Sequence, residues 1–317
     1  MKKLISLVLC CMMALSLGAC TLAEENEPRL AALNGPTAIG MVQLLTAENV
    51  YAAADELVPL FNKGEIDIAS VPANLIANLY NNENIKPENK PVLLAINTLG
   101  VLYIVEKGGE EINVIEDLAG RTVYATGAGS TPEYALTYLL GAHGLEIGTD
   151  VNVEFKSSPN EVLPLLKNDE KAVAMLPQPF ATVAAAQVEG LRVALDLTAE
   201  WDALDNGSRL ITSGIMARRS FVEQHPEEVA AFLNDFAASV EFVNNNVEEA
   251  AQMVEALDIV KAPIAQKAIP KCNIVCITGD EAKEILPGYL QTLLDLNPAS
   301  IGGSLPGDDF YWSHEAE

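Results

Sequence analysis

Histidine is nearly missing from this chain of 317 residues, which carries only His143, His225 and His314. Aromatic residues make up 6%, and of five cysteines only Cys272 and Cys276 lie beyond the first twenty positions. Basic residues are outnumbered, with 19 Lys and Arg against 44 Asp and Glu and a formal net charge of -25. Each scarcity excludes something. Such an acidic chain is repelled by polyphosphate and by anionic membrane surfaces, so nucleic acid is not expected as a partner. The overall charge does not name a ligand, because a buried site is set by a few local groups. Cys272 and Cys276 would lie about 13 Å apart along a straight strand, too far for a disulfide, and could meet only across a turn. Two free thiols are the simpler reading. No His or second Cys pair stands near them, so no metal site is expected. The chain contains no Gly-x-Ser-x-Gly elbow and no His-Glu-x-x-His pair, and no histidine belongs to a strand-to-helix junction. Glu110-Glu111 and Asp308-Asp309 read as solvated surface rather than acid-base pairs. Beyond residue 20, every apolar stretch is broken by charge, Pro or Gly before it reaches the roughly 20 residues that a membrane span needs. These absences favour binding over catalysis.

What is present begins with the first nineteen residues. Lys2 and Lys3 precede an apolar run over 4–17 that ends in Leu17-Gly18-Ala19-Cys20, after which the chain turns acidic at Glu24 and Glu25. This is the pattern of a secretory signal peptide over 1–19. The last four residues resemble the lipobox of bacterial lipoproteins. That resemblance implies that Cys20 is acylated, that residues 20–28 form a tether, and that the body sits outside the cytoplasm, lipid-anchored to the outer face of the cell membrane. A diacylated cysteine holds far better than one chain would.

The body reads as α/β. Short β-branched runs at 30–34, 66–71, 91–97, 101–106, 122–126, 151–155, 172–176, 191–195 and 210–217 alternate with helical stretches at 36–45, 75–81, 132–142 and 180–189. The back third is helical, at 226–244, 247–257 and 281–294. Phe232, Phe236, Val240 and Val243 recur there at the spacing of one buried face. About 290 residues suffice for two lobes.

Four junctions share one design, a strand followed by small or capping residues and then Pro near the first helical position. They are Asn34-Gly35-Pro36-Thr37, Ser70-Val71-Pro72-Ala73-Asn74, Ala128-Gly129-Ser130-Thr131-Pro132-Glu133 and Leu176-Pro177-Gln178-Pro179. Pro tolerates the first helical turn because the N-H it lacks would be unpaired there. Ser130 with Glu133 fits a capping box. Each junction stands at the carboxyl end of a strand, the edge at which open α/β sheets bind ligands. Four helix starts converging there would hold a small polar solute, an anionic group being the kind such ends favour. Gly127-Ala128-Gly129 lacks the third glycine of a dinucleotide fingerprint, and no cofactor is expected.

The Gly35-Pro36-Thr37 turn, the run 64–69 (Gly-Glu-Ile-Asp-Ile-Ala) leading to Pro72 and Asn74, the stretch 97–103 and Thr131-Pro132-Glu133-Tyr134 together resemble the solute-binding lipoproteins of ABC importers. The group concerned is that of nitrate, sulfonate, taurine and thiamine-pyrimidine binding proteins. The runs 269–274 and 302–306 resemble its members from Gram-positive anaerobes. The resemblance implies a type II periplasmic-binding-protein fold, with two lobes built on central mixed sheets and a hinge of two crossovers. Lobe 1 would comprise 29–105 and 196–317, with lobe 2, 106–195, inserted. It further implies a monomer that captures a small organic solute, with a carboxylate or aromatic ring among its candidate groups, and delivers it to an ABC permease and ATPase. The cleft residues carried over are Pro36, Thr37, Asn74, Asn97 and Thr98 on the first lobe and Gly129, Ser130, Thr131, Tyr134 and Gln178 on the second. Trp201 is placed to close one wall. No Arg or Lys falls inside the junctions, which tells against a small inorganic anion, although Arg121 and Arg209 are near enough in sequence to reach the cleft. A sensor without transport is the alternative, and an enzyme, either a pyrimidine synthase or a desulfinase with a nucleophilic Cys, is the more distant one.

Overall fold

A computed structural model of the chain describes residues 27–313. The signal peptide, Cys20, most of the tether and His314 lie outside the described residues. Among the described residues eleven strands form two mixed sheets. The first has the order β11-β4-β10-β3-β1-β2, where β1 is Leu30–Leu33, β2 Val50–Tyr51, β3 Ile68–Pro72, β4 Pro91–Leu99, β10 Ile211–Arg218 and β11 Ile274–Thr278. The second has the order β7-β6-β8-β5-β9, with β5 Leu102–Lys107, β6 Thr122–Thr126, β7 Asn152–Lys156, β8 Val173–Pro177 and β9 Leu191–Asp196. In each sheet a parallel group meets an antiparallel one: β3 runs with β1 and against β10, and β8 runs with β6 and against β5. This is the two-lobe, type II architecture that the resemblance implies. The chain crosses between the sheets twice, at 99–102 and at 196–211. The first crossing comes a few residues before the boundary expected at 105–106, so that β5 pairs wholly within the second sheet.

Among the described residues twelve α-helices clothe the sheets. They are α1 Pro36–Ile39, α2 Ala54–Lys63, α3 Ala73–Asn81, α4 Thr131–Ala142, α5 Pro159–Asn168, α6 Phe180–Gln187, α7 Leu197–Ala203, α8 Arg219–Gln224, α9 Pro226–Asn245, α10 Val247–Ala256, α11 Ala262–Ala268 and α12 Gly279–Leu296. The apolar stripe of α9 is buried as its spacing requires, with Phe236 and Val243 fully enclosed. The helix expected over 36–45 stops at Ile39 and continues as three-residue turns, with Met41 donating to Ala38 and Leu44 to Met41. Gly40 stands where it stops, against the side chains of Ile274 and Phe236, and glycine is a poor helix interior. Strands β2 and β11 and helices α2, α5, α7, α8 and α11 were not among the expected elements. β2 is two residues long, and α2 holds an internal Pro59 that masks its pattern.

One hydrophobic cluster passes without a break from the first sheet through α4, α7 and α12 to the second. The two lobes therefore share a packed side, and on the other they leave a cleft.

Candidate functional site

All four junctions reach one cavity of about 240 Å³ at the carboxyl ends of β1, β3, β6 and β8. Asn34, Pro36 and Thr37 come from the first junction, Pro72 from the second, Ser130, Thr131 and Pro132 from the third and Pro177 from the fourth. Leu33, Val101, Leu102 and Thr212 complete the wall. Four prolines and three aliphatic side chains make it mainly apolar. Its polar side chains are hydroxyls and one amide, and among the described residues no charged one lines it.

The first junction is held from beneath. Gly35 caps α1 at φ 115°, a region that favours glycine, and Pro36 opens the helix. The Thr37 hydroxyl donates to the Leu33 carbonyl, and the Thr37 carbonyl accepts from Ser70 Oγ at 2.7 Å and Asn97 Nδ2 at 3.1 Å. Asn97 also donates to Ser70 Oγ at 2.7 Å and accepts from Ser213 Oγ at 2.7 Å. It is fully buried and ties β3, β4, β10 and α1 together, so it shapes the wall without lying on it. Thr98, also buried, reaches the Pro36 carbonyl at 3.5 Å.

The third junction is the most constrained. Gly127 and Gly129 both have positive φ, at 85° and 71°, and a Cβ on Gly127 would come within 2.6 Å of Pro132. The expected Ser130 capping box is replaced: Ser130 Oγ donates to the Gly127 carbonyl at 2.7 Å, while the Glu133 carboxylate accepts from the Gly129 N-H. Gly129 itself is exposed and off the cavity wall. Thr131, at the start of α4, is the point where the lobes join. Its hydroxyl accepts from the Tyr289 hydroxyl at 3.1 Å and donates to Asn74 Oδ1 at 3.4 Å, and Asn74 Nδ2 donates to the Ser300 carbonyl at 3.4 Å. Tyr134 donates to the Gly129 carbonyl and accepts from Asn297 Nδ2, both at 3.1 Å. Complete burial pushes the Tyr289 phenol well above its ordinary range, so it stays a neutral donor.

The structure therefore brings Pro36, Thr37, Ser130 and Thr131 to the wall and leaves the other expected residues off it. Gln178 is 1% exposed; its side-chain carbonyl accepts from Thr182 Oγ1 at 2.8 Å and its Nε2 has no partner among the described residues. Trp201 is a core residue. It is fully buried, with its ring centroid 4.5 Å from Tyr138 and 6.0 Å from Tyr289, and Nε1 donates to Ser208 Oγ at 2.9 Å. Arg121 pairs with Glu111 at 2.9 Å before the amino end of β6, and Arg209 is exposed; neither is on the wall. Thr212, Tyr289, Asn297 and Ser213 were not foreseen. They arrive from β10 and from the far end of the chain, and nothing local in the sequence marks them.

Cys272 and Cys276 are free thiols away from the cavity, pushed by burial up to about 12 and about 11, so neither carries thiolate at neutral pH. Among the described residues no group of three or more His, Cys, Asp or Glu gathers to hold a metal, and no helix is long and apolar enough to cross a membrane.

The model of the NMT1-like family matches residues 37–258, which includes both crossings and most of both sheets. The chain belongs to the NMT1-like family. Among solved structures, an ABC transporter protein from Parabacteroides distasonis is 24% identical, with a TM-score of 0.74 over 91% of this chain and 99% of that one. The periplasmic aliphatic sulphonate binding protein SsuA from Escherichia coli is 17% identical, with a TM-score of 0.68 over 90% and 92%. The desulfurization enzyme DSZB is 15% identical, with a TM-score of 0.56 over 89% and 97%. At these identities the likeness establishes the fold. No curated protein matches the chain by sequence.

Proposed function

We propose that this member of the NMT1-like family is the extracytoplasmic solute-binding component of an ABC importer, capturing a small organic solute between its lobes. The observation that carries the reading is the convergence of four strand-to-helix junctions from both lobes on one cavity. A site assembled from both sides of a hinge is complete only when the lobes meet, which is how a binding protein couples capture to a change of shape. The two crossings bound the inserted lobe, with β5 to β9 inside it. The Parabacteroides structure is of an ABC transporter protein and the Escherichia one of a periplasmic sulphonate binding protein, which supports this reading. The fold also serves an enzyme, so it does not choose between the classes. The wall supports the binding reading: its described residues are prolines, aliphatics, hydroxyls and one amide. The body is a monomer held to the outer face of the membrane through acylated Cys20, after loss of 1–19.

A thermal-shift screen of the purified body against pyrimidines, amino acids, sulfonates and polyamines tests the reading. A solute at a hundred times its Kd should stabilise the fold by about 2.7 kcal/mol and be recovered unchanged. Small-angle scattering should give a smaller radius of gyration with that solute. Chemical conversion of the solute would establish an enzyme instead. For the anchor, mass spectrometry of the mature N-terminus should find a lipid on Cys20, and an unmodified start elsewhere would exclude it.

A further inference from the structure

Thr212 on β10 lines the cavity, and its hydroxyl oxygen, turned away from solvent behind the wall, is the one among the lining hydroxyls with no hydrogen-bond partner among the described residues. The other three are engaged: Thr37 with Leu33, Ser130 with Gly127, and Thr131 with Asn74 and Tyr289. Thr212 owes its position to a β-bulge. Ile211 pairs with Leu99 and Ser213 pairs with the very next residue, Thr98, so Thr212 is an extra residue with no cross-strand mate on β4. Bulges next to sites re-aim a side chain, and a buried hydroxyl left without a partner is a cost that native structures seldom carry without a use. Staggered χ1 wells let the hydroxyl turn within the wall without moving the backbone.

From the bulge, the unspent hydroxyl and a wall without charge, we propose that Thr212 is a solute-binding residue and that the solute it orients is uncharged, accepting a hydrogen bond from Thr212 while its apolar part packs against the prolines. This rests on the solute-binding reading above and narrows it. A sulfonate, nitrate or carboxylate would find no charged side chain among the described residues of the wall, only the partial positive charge of the α1 and α4 starts, and a charge buried without a full partner costs more than a buried neutral group.

The test uses size-matched pairs differing in charge: nicotinamide and nicotinate, benzamide and benzoate, methanesulfonamide and methanesulfonate. Thermal shift and calorimetry are run on wild type, Thr212→Val and Thr212→Ser. The neutral member of a pair should bind and its acid should not. Thr212→Val should weaken the neutral compound roughly tenfold, as loss of one hydrogen bond predicts, and Thr212→Ser should restore it. Without solute, Thr212→Val should melt about 1 to 3 °C higher, because it removes a buried hydroxyl that nothing satisfies. Stability and binding then move in opposite directions, which a purely structural role for Thr212 would not produce. An acid that binds better than its amide overturns the inference and leaves solute binding standing. So does neutral binding that Thr212→Val leaves intact, or a lower melting temperature for that variant. Silence across these pairs and the wider screen counts against both readings.

Discussion

The antiparallel pair β3 and β10 carries opposite chemistry at its two ends. At one end Pro72 and Thr212 stand on an uncharged cavity. At the other, Asp67 precedes β3 and meets Arg218 at the end of β10 and Arg29 before β1. Asp67 is nearly fully buried; it accepts from Arg29 Nε at 2.7 Å, Arg29 Nη2 at 2.6 Å, the Arg29 backbone N-H at 3.0 Å and Arg218 Nη2. These two ends are separated by only one short strand, roughly 17 Å. In a chain of net charge -25, two of the 19 basic residues pin the far end of these strands, and none of the described ones lines the cavity. Charge here is structural, and the neutral end is the one proposed for recognition.

The largest effect that separates the two ends is expected from Asp67→Ala. It strands Arg218, whose side chain is 14% exposed, while Arg29, at 53%, can turn to solvent. Removing one partner of a buried ion pair costs about 3 to 5 kcal/mol, and the exposure of Arg29 places this case near about 3 kcal/mol. Denaturant unfolding should register that loss, with solute affinity of the folded protein unchanged. A variant that kept its stability and lost its solute would reverse the assignment of the two ends.

Acid offers a graded version of the same test. Burial alone would raise the Asp67 carboxyl, but the hydrogen bonds from Arg29 and Arg218 and the charge of Arg29 outweigh it and hold the group below the usual carboxylate range. A depressed folded value contributes stability that is present above the unfolded aspartate value of about 3.9 and is lost as pH falls through the folded value. Wild type should therefore lose stability below about pH 4 along a component that Asp67→Asn lacks. Identical acid limbs in the two proteins would show that the pair contributes nothing.

Thr131→Ala comes next, because it acts at the cleft end yet should be felt first in the fold. The substitution takes the acceptor from Tyr289, whose hydroxyl is then buried without a partner, at a cost of about 1 to 3 kcal/mol. It also cuts the link from α4 through Asn74 to Ser300. Unfolding should show the loss in the absence of any solute. An unchanged midpoint would mean that Tyr289 finds another acceptor and that the lobes are held by α4, α7 and α12 packing alone.

Thr131 marks the limit of what the sequence discloses. Pro after small residues at a strand end is local information, and it is enough to place all four junctions at one edge. Which hydroxyls face the cavity is not local. The bulge at Thr212 is invisible in an alternating strand, because it is defined by its register against β4. Tyr289 reads as one more residue in an apolar helical stripe, and its partner lies 158 residues away. Trp201 has the opposite history: its place near the return crossing suggested a cleft wall, and two tyrosines enclose it in the core instead.

Ser130→Ala is the smallest of these effects and the sharpest probe of the third junction. Ser130 occupies the N-cap position of α4, where a serine usually accepts from a backbone N-H and its loss costs about 1 kcal/mol. Here the hydroxyl donates backwards to Gly127, and Glu133 satisfies the Gly129 N-H, so the usual capping penalty does not apply. The hydrogen bond lost is short-range and next to solvent, worth roughly 0.5 kcal/mol. Solute affinity should fall only if Ser130 offers its remaining lone pairs to the solute, and because Ser130 shares the wall with Thr212, a double-mutant cycle separates the two contributions. Additive losses would mean that each hydroxyl meets its own group on the solute; a coupling above about 0.5 kcal/mol would mean that both hold the same one.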